Sequence, residues 1–286
     1  AQNVQVHQSD PNPVTEPEDP NPGEQPPQPA EPPTGEQPTT PDPSVIQPEL
    51  PDLPDLPGST FTPAPVAKPD HLPLVADTTA PVAYQPIIDR AANGVALVQI
   101  ATPTAGGVSR NLYTHFNIDP SGLILNNTTE YTQTQLGGYI DANHRLNGVS
   151  APTILSEVTS PHLSHLNGYL EVAGAQANLV IANANGISVN GFGTINAREI
   201  TLSTAQPTDW QNLTYAPAAT GDIRVEGDGL NAATADHLSL RTRNFTNIAS
   251  ELRAQHLTLT ADGKLANSGA ISATDTARLS GQTLTN

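Results

Sequence analysis

Asp236-His-Leu-Ser-Leu-Arg-Thr-Arg-Asn-Phe-Thr-Asn247 is followed by a second copy of the same pattern, Gln255-His-Leu-Thr-Leu-Thr-Ala-Asp-Gly-Lys-Leu-Ala-Asn267. When the copies are aligned, their leucines lie 19 residues apart and their closing asparagines lie 20 residues apart. The aligned pairs are Leu238 with Leu257, Leu240 with Leu259, and Asn247 with Asn267. A third copy continues with Leu279 and Asn286. A period of this length is typical of solenoid repeats.

The repeat predicts a column of stacked turns. A single turn cannot bury its own apolar face, whereas stacked turns bury one continuous core. Strand-length segments without helical periodicity favour a β-helix over a leucine-rich repeat. We expect the aligned asparagines to stand at corners and to hydrogen-bond from turn to turn as a ladder. His237 and His256 hold equivalent positions, so we expect them to stack on one face.

Upstream of the repeat, Asn178-Leu-Val-Ile-Ala-Asn-Ala-Asn-Gly-Ile187 predicts a strand, a tight corner and a second strand. The run from Leu179 to Ala182 is apolar and short enough to be a buried strand. Asn183-Ala-Asn-Gly186 supplies the turn, because Asn and Gly tolerate left-handed backbone conformations that β-branched residues resist. Similar short apolar runs between Asn, Gly, Thr and Ser continue from about residue 82 onward, and none shows a capped helical period.

The N-terminal part has a different composition. Residues 1–80 hold 21 of the 29 prolines, 13 acidic side chains and one basic side chain, Lys68. Proline fixes φ and removes a backbone donor, so this segment predicts a disordered or polyproline-II extension. Leu50, Leu53 and Leu56 would lie on one face of such a helix, which leaves a docking strip as an alternative to a solvated spacer. We therefore predict two domains, an acidic extension at 1–80 and a β-structured domain at 81–286.

Composition disfavours several classes of protein. The chain lacks Cys, which excludes disulfides, cysteine-ligated metals and thiol catalysis. It contains no apolar run of the roughly 18 residues that a transmembrane helix needs. No basic patch with interleaved aromatics occurs, so we expect no nucleic-acid partner. The chain also lacks Met and starts at Ala1, from which we expect that a signal peptide or tag has been removed.

Several motifs follow one another in a fixed order. They are Gly94-Val-Ala-Leu-Val-Gln-Ile-Ala-Thr-Pro103, Gly107-Val-Ser-Arg-Asn-Leu-Tyr-Thr-His-Phe-Asn117, Gly122-Leu-Ile-Leu-Asn-Asn127, Gln135-Leu-Gly-Gly-Tyr-Ile140, Ile154-Leu-Ser-Glu-Val-Thr159, Leu166-Asn-Gly-Tyr-Leu-Glu-Val-Ala-Gly174 and the corner at 183–187. In this order they resemble the secretion domain of two-partner-secretion exoproteins, the filamentous-haemagglutinin, haemolysin and contact-dependent-inhibition proteins of Gram-negative bacteria. The family's corner usually reads Asn-Pro-Asn-Gly-Ile, and this chain has Ala184 in place of proline. The family's Asn-Pro-Asn-Leu box maps on Asn143-His-Arg-Leu146, which keeps only the two ends.

The resemblance implies a fold and a function. The fold is an all-β, right-handed parallel β-helix with N-terminal capping strands and extra-helical hairpins, preceded by the proline-rich segment. The function is that of an N-terminal targeting domain of a larger exoprotein. Such a domain passes through the periplasm, is recognised by the periplasmic domains of a dedicated outer-membrane β-barrel transporter, and nucleates β-helix folding at the cell surface. We expect a monomer, with the repeat at 236–286 cut off in mid-register.

The candidate site residues are Asn183, Asn185, Gly186 and Ile187, together with Asn143 and Leu146. Two roles are open for them: contact with the transporter, or formation of a β-helix corner. A turn of this composition needs no partner to explain it, which favours the structural role. Without proline at 184, we expect Asn183, Asn185 and Gly186 to hold the corner alone.

Other functions have weaker support. We expect no metal or cofactor, because His162 and His165 lie in a Ser/Pro/Leu loop without carboxylates nearby. We expect no enzyme either, because the carboxylates after residue 81 are scattered rather than paired as in β-helical polysaccharide-degrading enzymes. A surface adhesin that binds host or neighbouring cells directly is the main alternative. Trp210 interrupts the repeat rhythm and predicts a hairpin or loop that leaves the column.

Overall fold

The computed structural model describes residues 71–286, and this part of the chain winds into a β-helix. Its helical content is two 3₁₀ turns, Val82–Tyr84 and His144–Leu146. Neither turn has the length or the hydropathy that crossing a bilayer requires. The predicted docking strip at Leu50, Leu53 and Leu56 lies outside the described residues.

The strands are short in the first part of the domain and lengthen in the repeat region. In chain order they are β1 (Val75–Ala76), β2 (Ile87–Arg90), β3 (Ala96–Gln99), β4 (Val108–His115), β5 (Leu123–Asn127), β6 (Thr132–Thr134), β7 (Gly138–Ile140), β8 (Thr153–Val158), β9 (Ser164–Leu166), β10 (Tyr169–Gly174), β11 (Ala177–Ala182), β12 (Ile187–Val189), β13 (Phe192–Ile195), β14 (Ala197–Ser203), β15 (Pro207–Asp209), β16 (Thr214–Tyr215), β17 (Ile223–Val225), β18 (Leu230–Thr242), β19 (Phe245–Asn247), β20 (Glu251–Ala261), β21 (Lys264–Asn267), β22 (Ala270–Ser280) and β23 (Thr283–Thr285).

Three faces of parallel strands enclose the column. The first face contains β3, β5, β10, β13 and the first halves of β18, β20 and β22. The second contains β4, β8, β11, β14 and the second halves of the same three long strands. The third contains β9, β12, β17, β19, β21 and β23. Consecutive strands therefore occupy successive faces, which is the parallel β-helix that the sequence predicts.

The repeat register is confirmed. Leu238 pairs with Leu257, and Leu240 with Leu259, as the alignment of the two copies requires. Asn247 Nδ2 donates to Asn267 Oδ1 over 2.9 Å, and Asn267 Nδ2 donates to Asn286 Oδ1 over 2.6 Å, so the asparagine ladder is confirmed. His237 and His256 also pair, with ring centroids 6.2 Å apart and planes inclined by 21°.

One apolar core fills the column. Inward side chains from successive turns stack on each other, as Ile187, Ile223, Phe245 and Leu265 do on the third face. All four are buried. Such stacking makes each turn depend on its neighbours, because apolar surface leaves water only when the next turn covers it.

Two hairpins lie outside the column and cover apolar stripes on its outer surface. Hairpin β6–β7 packs with Leu136 and Ile140 over a cluster on the first face that includes Ile124. Hairpin β15–β16 packs with Trp210, Leu213 and Tyr215 over Val108, Leu155, Val180 and Ala182 of the second face. The prediction that Trp210 belongs to an excursion from the column is thereby confirmed.

Antiparallel strands cap the N-terminal end. Strand β2 pairs antiparallel with β3, and β1 pairs antiparallel with β4. Residues 71–80 thus contact the β-helix: Asp77 Oδ2 accepts a 2.7 Å hydrogen bond from Thr159 Oγ1, and His71 Nδ1 lies 2.7 Å from Asp119 Oδ2.

Candidate functional site

The corner at 183–186 connects β11 to β12 by a β-turn. Gly186 N donates to the Asn183 carbonyl over 3.1 Å, which closes the turn. Asn183 Oδ1 accepts from the backbone N of Asn185 over 3.0 Å and from its Nδ2 over 3.0 Å. Asparagine at the first position and glycine at the fourth are typical of type I turns, in which proline is favoured second. Here the second position is Ala184, whose backbone N–H makes no hydrogen bond within the described residues.

Asn183 links three successive turns of the β-helix. Its Nδ2 donates to the carbonyl of His162 and to Ser164 Oγ, both over 2.9 Å, in the preceding turn. Its backbone N donates to the Ser203 carbonyl over 2.9 Å in the following turn. The side chain is 1% exposed, and every polar atom on it has a partner. A buried amide with this many partners fixes the spacing and register of the turns around it.

Asn185 is the exposed member of the corner. Its Nδ2 donates to the Ser160 carbonyl over 2.6 Å. Thr220 Oγ1, from the following turn, donates to the Ala184 carbonyl over 2.8 Å. The prediction that three residues hold the corner alone is therefore wrong. Hydrogen bonds to both neighbouring turns, through Ser160 and Thr220, also hold the corner.

Gly186 is required by both conformation and space. Its φ is +127°, a value that side-chain-bearing residues rarely adopt. A Cβ at this position would lie 2.8 Å from Leu163 Cδ1 and 3.1 Å from the Asp222 carbonyl oxygen. Gly221 continues the close approach in the next turn, where a Cβ would lie 2.6 Å from Gly186 N. The glycine pair lets two corners stack at backbone distance.

Ile187 directs the chain back into the core. It pairs with Ser164 of β9 and Ile223 of β17, and its side chain is buried. Its backbone N donates to the Asp222 carbonyl over 3.0 Å. The candidate residues 183, 185, 186 and 187 thus act as one unit: a turn that ends one strand and starts the next.

Asn143 makes the same pattern of side-chain hydrogen bonds as Asn183 at an earlier corner. Its Oδ1 accepts from Arg145 N over 3.1 Å, and its Nδ2 donates to the carbonyls of Ile100 and Asn126, both over 3.0 Å. Leu146 enters the core, and its N donates to the Asn143 carbonyl over 3.0 Å. No hydrogen bond joins this set to the 183–187 corner in the part of the chain that the structure describes. The two candidate sets are separate corners with the same chemistry.

Two further asparagines were missed as site residues. Asn126 and Asn127 end β5 and are fully buried. Asn127 Nδ2 donates to the carbonyls of Ala151 and Ala175, both over 2.9 Å, and its Oδ1 accepts from Ala151 N over 2.7 Å. The sequence signal was present, because an apolar run followed at once by asparagine also introduces Asn183.

The charged groups near the corner are paired. Asp222 bonds Arg243 with a 2.8 Å contact between Oδ1 and Nε, and this hydrogen bond lowers the pKa of the Asp222 carboxyl. His162, whose carbonyl receives the Asn183 amide, stacks on His115 with 3.8 Å between ring centroids. Burial, and then the neighbouring His162, lower the pKa of His115. Within residues 71–286, no group of three or more His, Asp or Glu side chains is arranged to hold a metal ion.

The buried carboxylates serve neighbouring donors. Glu157 Oε2 accepts from Arg110 Nη2 over 2.9 Å. Glu171 accepts from the backbone N of Gln135 and of Leu136, both over 2.8 Å, and so fixes hairpin β6–β7 to the first face. Glu157 and Glu171 therefore act as hydrogen-bond acceptors that join neighbouring segments of the chain.

Comparison with known proteins identifies what the chain is similar to. Residues 73–286 match the profile of the TPS secretion domain. Over 177 residues, 61% of this chain, it is 45% identical to a tRNA nuclease CdiA of Yersinia mollaretii. Over 207 residues, 71% of this chain, it is 42% identical to a 16S rRNA endonuclease CdiA of Enterobacter cloacae. The chain spans 6% of the length of each of these relatives. A crystal structure of the filamentous hemagglutinin secretion domain aligns with a TM-score of 0.45 and 23% identity, over 74% of this chain and 98% of that one.

Proposed function

Because the chain belongs to the TPS secretion domain family, we propose that it is the segment by which an outer-membrane transporter recognises a much larger exoprotein. The family is one of secretion-targeting domains in secreted, cell-surface exoproteins of Gram-negative bacteria. The observation that carries the proposal is the family match, which covers nearly the whole described domain, from residue 73 to 286. The partner is the periplasmic part of the cognate transporter.

The domain itself has no catalytic role in this proposal. The nuclease names belong to relatives of which this chain spans 6%, so they are not transferred to it. Glu157 and Glu171, two of the buried carboxylates, are engaged by arginine and backbone donors, which supports a structural use. No cofactor, metal or nucleic acid takes part in the proposed function.

The asparagine corners are proposed to be essential for folding rather than for contact with the transporter. Burial supports this role, because Asn183, Gly186 and Ile187 are inaccessible in the folded domain and Asn143 and Leu146 are equally enclosed. Asn185 is the one exposed member, and its amide is already bonded to Ser160. A folded domain with intact corners would then template the stacking of later turns at the cell surface.

We further propose that residues 1–80 are an extension attached to a monomeric secretion domain at 81–286. The pairing of β1 with β4 gives the last residues of the extension a place against the domain. Removing residues 1–70 is expected to leave the thermal midpoint of the domain unchanged. Size-exclusion chromatography with light scattering tests whether both forms are monomers.

Transporter binding provides the direct test. The full chain is titrated against the isolated periplasmic part of the cognate transporter by calorimetry, and secretion of the exoprotein is measured with and without residues 81–286. We expect saturable binding, and loss of secretion on deletion. Undiminished secretion of the deleted exoprotein would refute the proposal. Asn185→Ala, which removes an exposed side chain, is the matched control for Asn183→Ala: only the second is expected to weaken binding markedly, because it lowers the stability of the folded domain.

A further inference from the structure

Hairpin β6–β7 displays an aromatic pair to solvent. Tyr131 is 66% exposed and Tyr139 is 57% exposed. Their rings are nearly parallel, with 5.1 Å between centroids and 7° between planes. Tyrosine is enriched at the energetic centres of protein interfaces, because it combines a large apolar face with a hydroxyl group. Two such rings held together outside the core point to a binding surface.

Strand register defines the rest of this surface. Gln133 pairs with Tyr139, and continuing the same register by one position places Asp141 opposite Tyr131. Residues directly opposite on antiparallel strands point to the same side of the sheet. All four are exposed, whereas the alternating residue Ile140 is buried against the first face. We call Tyr131, Gln133, Tyr139 and Asp141 the tyrosine face.

The carboxylate of Asp141 forms no ion pair within residues 71–286. The backbone carbonyl of Asp141 accepts from Asn126 Nδ2 over 2.9 Å, which anchors the strand end. The face therefore offers two aromatic rings and one free carboxylate.

A comparable set, two aromatic rings and one carboxylate, holds a cation elsewhere in the molecule. The Arg110 guanidinium lies 5.2 Å from the centre of the Tyr84 ring and 5.0 Å from that of Trp210. Its Nη2 lies 2.9 Å from Glu157 Oε2. Rings attract the cation through their negative faces, and the carboxylate accepts its N–H groups. The Tyr84 and Trp210 rings are inclined by 69°, whereas the Tyr131 and Tyr139 rings are nearly parallel, so the internal site is a precedent for the type of ligand and not for its pose.

We infer that the tyrosine face binds an arginine side chain presented by a partner protein. A planar guanidinium stacks on tyrosine and donates to a carboxylate at the same time, which the compact ammonium of lysine does less well. Residues 81–286 hold 15 acidic and 10 basic side chains, and the resulting formal charge of −5 favours the approach of such a basic segment. The inference goes beyond the proposed function, because it does not require the partner to be the transporter.

Nuclear magnetic resonance of the full chain tests the inference with three probes: acetyl-Gly-Arg-Gly-amide, its lysine counterpart, and the trisaccharide of N-acetylglucosamine. We expect the arginine peptide to shift the ring resonances of Tyr131 and Tyr139 saturably and to bind more tightly than the lysine peptide. Asp141→Asn should weaken its binding about tenfold, the loss expected for a charge-assisted hydrogen bond. Tyr131→Ser with Tyr139→Ser should abolish saturable binding.

Asp228→Asn is the matched control, because it removes the same charge from another exposed position. Equal weakening by Asp141→Asn and Asp228→Asn would show that only net charge attracts the peptide, and would overturn the inference. The absence of a saturable shift with the arginine peptide would also overturn the inference. Tighter binding of the trisaccharide would overturn it as well, because the tyrosine face would then be a carbohydrate-binding surface. Native circular dichroism of each variant verifies that the hairpin change has not unfolded the domain.

Discussion

Replacing Asn183 with alanine tests whether the corner is a structural unit. The substitution removes two donated hydrogen bonds, to the His162 carbonyl and Ser164 Oγ, and two that Asn185 donates to Asn183 Oδ1. A typical intramolecular hydrogen bond contributes about 1 kcal/mol net, and buried partners left unpaired add to the cost. We therefore expect a loss of about 3–4 kcal/mol in the free energy of unfolding. That is a large part of the ~5–15 kcal/mol by which domains are stable.

Asn185→Ala is the control at the same corner. It removes the bond to the Ser160 carbonyl and one of those to Asn183, but its side chain is exposed, so water replaces the lost partners. We expect a loss of about 1 kcal/mol. Urea unfolding of both variants is followed by far-ultraviolet circular dichroism and by the fluorescence of Trp210, the single tryptophan of the chain. Coincidence of the two probes checks that the transition is two-state.

Two results would contradict the structural role of Asn183. The first is a free energy of unfolding for Asn183→Ala that is no lower than that of Asn185→Ala. The second is wild-type stability of Asn183→Ala combined with loss of transporter binding, which would mean that the asparagine is read directly. Asn183→Asp refines the result, because it keeps the acceptor for Asn185 N but loses both amide donors. It should be destabilised at least as much as the alanine variant.

Three further predictions concern the corner and its surroundings. Ala184→Pro should raise the free energy of unfolding by about 0.4–1 kcal/mol, because proline suits the second position of this turn and restricts the unfolded chain; a lower urea midpoint would contradict the turn assignment. Arg110→Ala should free the Trp210 ring, so its fluorescence should become more accessible to acrylamide while the urea midpoint falls; unchanged quenching would show that the arginine does not hold the hairpin. Stability should decrease as pH falls below about 6.5, because the pKa of His115 is lowered in the folded state and the unfolded chain therefore binds more protons. The urea midpoint of His115→Gln should therefore change less between pH 7.5 and 5.5 than that of the wild type. An unchanged pH dependence in this variant would assign the effect to other groups.

The sequence could predict the column but not its outer layers. Leu238, Leu257 and the asparagine ladder were predictable, because a β-helix places residues one repeat apart directly above each other. The packing of Trp210 on Tyr84 was not predictable, because the hairpin that carries it interrupts the period and reaches residues more than a hundred positions away. Spacing reports which residues stack within the column, whereas contacts made by an insertion depend on which outer stripe it covers.

The sequence predicts that residues 183–186 form a turn, but it does not predict most of the hydrogen bonds that hold the turn in place. Asn183 and Gly186 were found because their conformational preferences are local. The partners Ser160, His162 and Thr220 were not found, because their backbone and hydroxyl groups leave no pattern in the sequence. Asn127 follows an apolar run as Asn183 does, so its position at a strand end was predictable, whereas its bonds to Ala151 and Ala175 depend on burial between two turns, which the sequence does not report.

The direction of the asparagine bonds suits a domain that assembles from its N-terminal end. Asn183 and Asn185 donate their side-chain amides to residues 160–164, which precede them in the chain. When the chain folds in this order, the side-chain amides of the corner find their acceptors in the preceding turn at once. The backbone N–H of Asn183 is paired when Ser203 of the following turn is in place. In the later repeats the direction reverses, because Asn247 donates forward to Asn267. The corners at Asn143 and Asn183 thus bond to structure already present, whereas Asn127 and the later ladder offer amides to residues that follow them in the chain. Such an arrangement lets folding proceed one turn at a time, without a new nucleus for each, as a chain emerging from a transporter requires.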